Sequence, residues 1–121
     1  MESYKARAEA VRHAEAYMEN YAISVCPAQG LESPNVVGAQ AANELLNIIG
    51  VKASFVFTQC DERIFISARS IDEVNVQIIM ERLGGGGHIN IAGAQLSGVT
   101  MEEAVQRLKD VLRAMTEEGA I

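Results

Sequence analysis

Four glycines in a row, Gly84-Gly85-Gly86-Gly87, followed at once by His88, constrain this chain more than any other stretch. Glycine costs about 1 kcal/mol relative to alanine inside regular structure and brings no side chain to a core. A run of four therefore marks backbone that takes unusual dihedrals or lies close against something else. Successive N–H groups in such a turn can converge into an anion-binding concavity. The plain alternative is a flexible or helix-capping turn. Familiar phosphate loops do not fit. The spacing G-x-G-x-x-G fails because Ile89 stands where the third glycine is needed. Gly93 and Gly98 have P-loop spacing, but Val99 and Thr100 follow where Lys and Ser or Thr are required.

The surroundings of the loop read as alternating helices and strands. Tyr4, Ala8, Val11, Ala14 and Met18 recur at three- and four-residue spacing and predict a helix over Ser3–Asn20. Tyr21–Cys26 reads as a strand that ends at Pro27. Asn35 is a candidate cap for a second helix with Val37, Ala41, Leu45 and Ile48 inward, and Gly50 lies just past its end. Ala53–Gln59 and Ile64–Ala68 form a predicted hairpin with Cys60–Arg63 as its loop.

Ser70-Ile71-Asp72-Glu73 and Thr100-Met101-Glu102-Glu103 both have capping-box form. The first predicts a third helix, with Val74, Ile78 and Leu83 inward, that the glycines terminate. The second opens a final helix with Ala104, Leu108, Val111 and Met115 inward. The expectation is one α/β domain, a central mixed β-sheet covered by α-helices. Its 121 residues, 49% hydrophobic, supply one core, built with no Trp. Residues 1–20 read as a linking helix and 21–121 as the functional domain.

Charge narrows the partners. The net charge is −6, and the ten Lys and Arg are scattered rather than gathered in the basic stripe that duplex binding favours. A short or cyclic nucleotide in a local site stays compatible with that balance. No run reaches the roughly 20 apolar residues of a membrane span, and no signal-peptide pattern opens the chain. It reads as soluble and cytoplasmic, without direct membrane contact.

Candidate site residues follow from the loop. The ring N–H of His88 can donate to phosphate, a charged bond contributing about 1.5–3 kcal/mol. Arg69, in Ser67-Ala68-Arg69-Ser70, is either a surface arginine or a fork-shaped phosphate donor. His13 lies among charged residues and reads as exposed. Cys26 and Cys60 read as reduced thiols, since two histidines and no C-x₂₋₄-C spacing give no zinc site. Only three aspartates are present, Asp61, Asp72 and Asp110. A two-metal phosphoesterase centre needs several carboxylate and imidazole ligands around ions about 3.5–4 Å apart, so neither metal ligands nor catalytic residues are assigned.

At these residues the chain resembles the DHH-associated domain (subfamily 1) of DHH-family phosphoesterases. Ile66-Ser67-Ala68-Arg69-Ser70, Asn75 through His88, and Ala92-Gly93-Ala94-Gln95-Leu96 carry the likeness, which extends from about Tyr4 to Met115. Among branches it is most similar to the C-terminal end of the membrane-anchored cyclic-di-AMP phosphodiesterases that carry a degenerate GGDEF domain. The resemblance implies a substrate-binding role for Gly84, Gly85, Gly86, Gly87 and His88, with Arg69 and Ser67 as secondary contacts. It also implies a cleft facing a manganese-bearing DHH domain, cyclic di-AMP as substrate and pApA as product, with this domain inactive alone. A DHH nuclease of short oligonucleotides and a nucleic-acid-binding module stand as alternatives. Pairing of the Ala-rich first helix with a second copy is a further one.

Overall fold

A computed structural model describes all 121 residues. In chain order the elements are α1 (Glu2–Arg12), β1 (Glu15–Tyr17), β2 (Tyr21–Cys26), α2 (Pro34–Leu45), β3 (Ala53–Cys60), β4 (Arg63–Ser70), α3 (Val76–Glu81), β5 (Gly86–Gly87), β6 (Ile91–Ser97) and α4 (Met101–Glu117). They build a six-stranded sheet in the order β1-β2-β3-β4-β6-β5. Only β2 and β3 run parallel, joined through α2, and every other pair is antiparallel. The expected mixed α/β sheet is therefore present. No helix is long and apolar enough to cross a membrane.

Register assigns each side chain to a face, because directly opposed residues project to the same side. Ile23, Phe55 and Phe57 share one face with Ile64, Ile66, Ala92, Ala94 and Leu96. α3 and α4 cover it with Val76, Ile79, Met80, Leu108, Leu112 and Met115. Fully burying one such side chain contributes about 1.5–3 kcal/mol, so this larger core dominates the fold. On the opposite face α1 and α2 pack Ala6, Ala10, Val37, Ala41 and Leu45 against Ala22, Cys26 and Val56. They lie over β2, β3 and part of β4. Ile91, Gln95 and Ser97 of β6, on that same face, are exposed. The β6 end of that face is thus bare, and Phe65 and Arg69 of β4 beside it are only half-buried.

Several local expectations need correction. The first helix stops at Arg12, well short of Asn20. Met18 and Glu19 take left-handed dihedrals (φ 51° and 69°) and fold residues 15–17 back onto β2 as a hairpin. Its buried residues are Ala6 and Ala10, whereas Tyr4 is 63% exposed. Small residues let the helix approach β2 closely enough for the Ser24 hydroxyl to donate to the Ala10 carbonyl. Ser33, followed by Pro34, opens α2 in place of Asn35, and Ile48 lies beyond its end, exposed. The β3–β4 loop is two residues long, since Cys60 pairs with Arg63. At the Ser70 capping box no helix starts. Ser70 ends β4, Asp72 turns left-handed (φ 55°), and α3 starts later under an Asn75 cap. Its buried residues are Val76, Ile79 and Met80 rather than Val74, Ile78 and Leu83. The second capping box forms as read, with Thr100 and Glu103 bonding reciprocally.

Candidate functional site

The bare end of this sheet face is the floor of a cleft of about 720 Å³, within the usual range for small-ligand sites. β4 presents Phe65, Ser67 and Arg69 there, at alternate positions about 6.8 Å apart. Ser67 faces Gly93 and Phe65 faces Gln95 across the ladder, and Gly86 of β5 faces Gly93 from the far side. α2 forms one wall through Asn35 and Ala39. All seven residues singled out from the sequence, Ser67, Arg69, Gly84 to Gly87 and His88, line this one cleft.

The glycines divide the structural work. Gly84 adopts φ +84° just after α3, and the next residue, Gly85, donates its N–H to the Met80 carbonyl at 2.8 Å, closing that helix. A Cβ on Gly85 would collide with the Gly93 carbonyl, so β5 and β6 approach only because that atom is missing. Gly86 differs. Its φ is ordinary, and a Cβ there would meet nothing within 4 Å. After Gly87 the chain turns, with the His88 N–H donating to the Ile91 carbonyl at 2.7 Å. The imidazole of His88 stands exposed at the lip.

A small polar clamp sets the loop against β4. Asn90 donates its side-chain amide to the Ser70 hydroxyl at 2.9 Å and to the Asp72 and Val74 carbonyls at 3.3 and 3.4 Å. The Ser70 hydroxyl donates to the Val74 carbonyl at 2.6 Å. Main-chain bonds from Ser70 to Asn90 and from Val76 to Ile89, at 3.0 and 2.8 Å, complete the seam.

Charge in the cleft is one-signed. Arg69 is half-buried and donates to the carbonyls of Ala68 and Ala92 at 2.9 and 3.5 Å. None of the chain's ion pairs uses it, and burial lowers its pKa from the ordinary arginine value. No Asp or Glu lines the cleft, although the chain has 16 of them. An anion entering here meets a guanidinium and an imidazole with no carboxylate to repel it. No three His, Cys, Asp or Glu side chains gather closely enough to hold a metal. The manganese implied by the family likeness therefore has no fitting ligand set in this chain. His13 lies outside the site, exposed and bonded to Glu9 at 2.9 Å. Cys26 and Cys60 are free thiols, buried and half-buried.

Sequence reading missed the far wall and the clamp. Ile91–Ser97 alternates in the manner of a half-buried strand, with Ala92, Ala94 and Leu96 buried, so the signal for β6 was there. Nothing in the sequence marked Asn90 as the partner of Ser70.

The family model of the DHHA1 domain matches residues 19–118, and the chain belongs to that family. It is 46% identical over 121 residues to the cyclic-di-AMP phosphodiesterase GdpP of Bacillus subtilis (strain 168), covering 98% of this chain and 18% of that protein. With the cyclic-di-AMP phosphodiesterase PdeA of Listeria monocytogenes it shares 42% identity over 113 residues, 93% of this chain and 17% of the relative. The chain thus spans under a fifth of the length of these relatives. An exopolyphosphatase-related protein from Bacteroides fragilis has the same fold, with a TM-score of 0.79 at 23% identity over 93% of this chain and 34% of that one.

Proposed function

We propose that this chain is the substrate-binding domain of a phosphodiesterase that hydrolyses cyclic di-AMP. The observation that carries the reading is the cleft free of carboxylates, in which Arg69, His88 and the glycine loop surround an open floor in an otherwise acidic chain. Similarity to two cyclic-di-AMP phosphodiesterases supplies the substrate class. In this reading Arg69 and His88 donate to ligand phosphate, Ser67 adds a hydroxyl, and Gly86 lets phosphate approach the main chain. The whole domain, α1 and β1 included, forms the binding unit, and its N-terminal end joins it to a DHH domain on the cytoplasmic side. Manganese belongs to that domain, and this chain alone hydrolyses no phosphodiester.

The test uses the parent enzyme with His88→Ala. Losing one donor to a charged phosphate should lower kcat/KM for cyclic di-AMP about 10- to 150-fold, and unmutated parent should prefer cyclic di-AMP to linear RNA of three or more nucleotides. A preference for the linear strand would replace this assignment with the oligonucleotide nuclease. An unaffected His88→Ala would remove His88 from the site.

A further inference from the structure

Phe65 is the one phenylalanine without a place in the fold. Phe55 and Phe57 are fully buried in the larger core, whereas Phe65 packs in neither core cluster. It stands on the bare face, half-buried, two positions along β4 from Ser67 and four from Arg69. Three basins meet at it, and two of them bear on a ligand of the cleft. One is the phosphate cleft, and the other, of about 730 Å³, lies toward the β3–β4 turn and the loop before α2. Asn35 is the other residue shared by both.

The two basins have opposite polarity. The first holds Arg69 and His88 with no carboxylate. The second has no basic residue and is bordered by Glu32 and Asp61, with the amides of Gln29, Asn35 and Gln59. The Gln59 amide nitrogen already donates to the Asp61 and Arg63 carbonyls at 2.8 and 3.2 Å, which leaves its oxygen as an acceptor. Phosphate is repelled there, while a group rich in N–H donors is matched.

We infer that Phe65 is a stacking platform for a nucleobase, and that the second basin receives the exocyclic amine of an adenine-type base whose phosphate lies in the first. This rests on the phosphate reading and adds the ligand's direction: phosphate at Arg69 and His88, base across Phe65 toward Asp61. A planar ring on a half-exposed phenyl face needs no packing from the core, which is the condition Phe65 meets.

The experiment is nuclear magnetic resonance titration of this chain with AMP, IMP, ribose 5-phosphate and adenosine. AMP should bind about 5- to 150-fold more tightly than ribose 5-phosphate, the range that one base–aromatic stack provides. Phe65→Leu, which keeps apolar bulk without the ring, should erase that advantage and leave ribose 5-phosphate unchanged, and Phe65→Tyr should restore it. IMP, with a carbonyl in place of the amine, should bind more weakly than AMP, and Asp61→Asn should narrow the gap. Equal binding of AMP and ribose 5-phosphate, or an unaffected Phe65→Leu, overturns the platform. Equal binding of AMP and IMP overturns the assignment of the second basin. If ribose 5-phosphate fails to bind while adenosine binds in a Phe65-dependent way, the phosphate reading falls and the platform stands.

Discussion

The side-chain amide of Asn90 donates to the hydroxyl of Ser70 at 2.9 Å, fastening the residue before β6 to the last residue of β4. Arg69 precedes one partner and His88 lies two positions before the other, so this contact helps set the spacing between the two side-chain donors of the cleft. Asn90→Ala removes three donor contacts and should cost about 1–3 kcal/mol in denaturant unfolding, with a parallel loss of phosphate-ligand affinity. An unchanged unfolding midpoint would show that the main-chain seam suffices alone.

Adjacent glycines should respond oppositely. Gly85→Ala drives a methyl into the Gly93 carbonyl and should destabilise the domain by about 1–3 kcal/mol. Gly86→Ala meets open space and should hold stability or raise it by up to about 1 kcal/mol. Gly86→Val should still fold while weakening ligand binding, since its side chain enters the floor of the cleft. Thermal melts beside ligand titrations separate the two positions, and a Gly86→Val protein that melts early would make the loop purely structural.

Arg69 has carbonyl partners but no carboxylate, so the fold does not depend on its charge. Arg69→Ala should change folding free energy by no more than about 1 kcal/mol, yet weaken ribose 5-phosphate about 10- to 150-fold. Arg69→Lys should recover only part of that affinity, because a point charge replaces the planar fork. Full recovery by lysine would argue for charge alone.

Alkali should loosen the α1 side of the sheet. Burial pushes the Cys26 thiol above its ordinary pKa, so the folded chain resists ionisation that the unfolded chain undergoes. Stability is then intact below the ordinary thiol pKa and declines as pH rises through the raised folded value. Melting temperature measured from pH 7 to 10 should fall over the upper part of that range, and Cys26→Ala should remove part of the slope. Cys60 and Tyr21, also shifted upward by burial, act in the same direction. Identical slopes in both proteins would contradict a buried, neutral Cys26.

What the sequence showed was what local rules govern. Periodicity located the buried stripe of α2 at Val37, Ala41 and Leu45, and reciprocal capping located the start of α4 at Thr100. The glycine run declared itself through its cost. The failures are places where distant partners overrode local preference. Ser70 has a capping-box sequence, but its hydroxyl is engaged by Val74 and Asn90, twenty positions away in the latter case. The apolar spacing through Met18 reads as helix, yet Tyr17 and Met18 pack against the larger core from a hairpin. Phe65 gave no signal in sequence, because only the pattern of helix coverage shows that it stands outside the core.

That incomplete coverage also shapes how the domain can change over generations. Phe65, Ile91 and Gln95 project from strands whose opposite sides are already locked into Ile64, Ile66, Ala92, Ala94 and Leu96. Substitutions on the bare side leave the interdigitated layer behind them untouched, so they carry little penalty in folding. Ligand preference can drift there at little cost to the scaffold, and one sheet thereby combines a tightly constrained packing layer with a surface free to diversify.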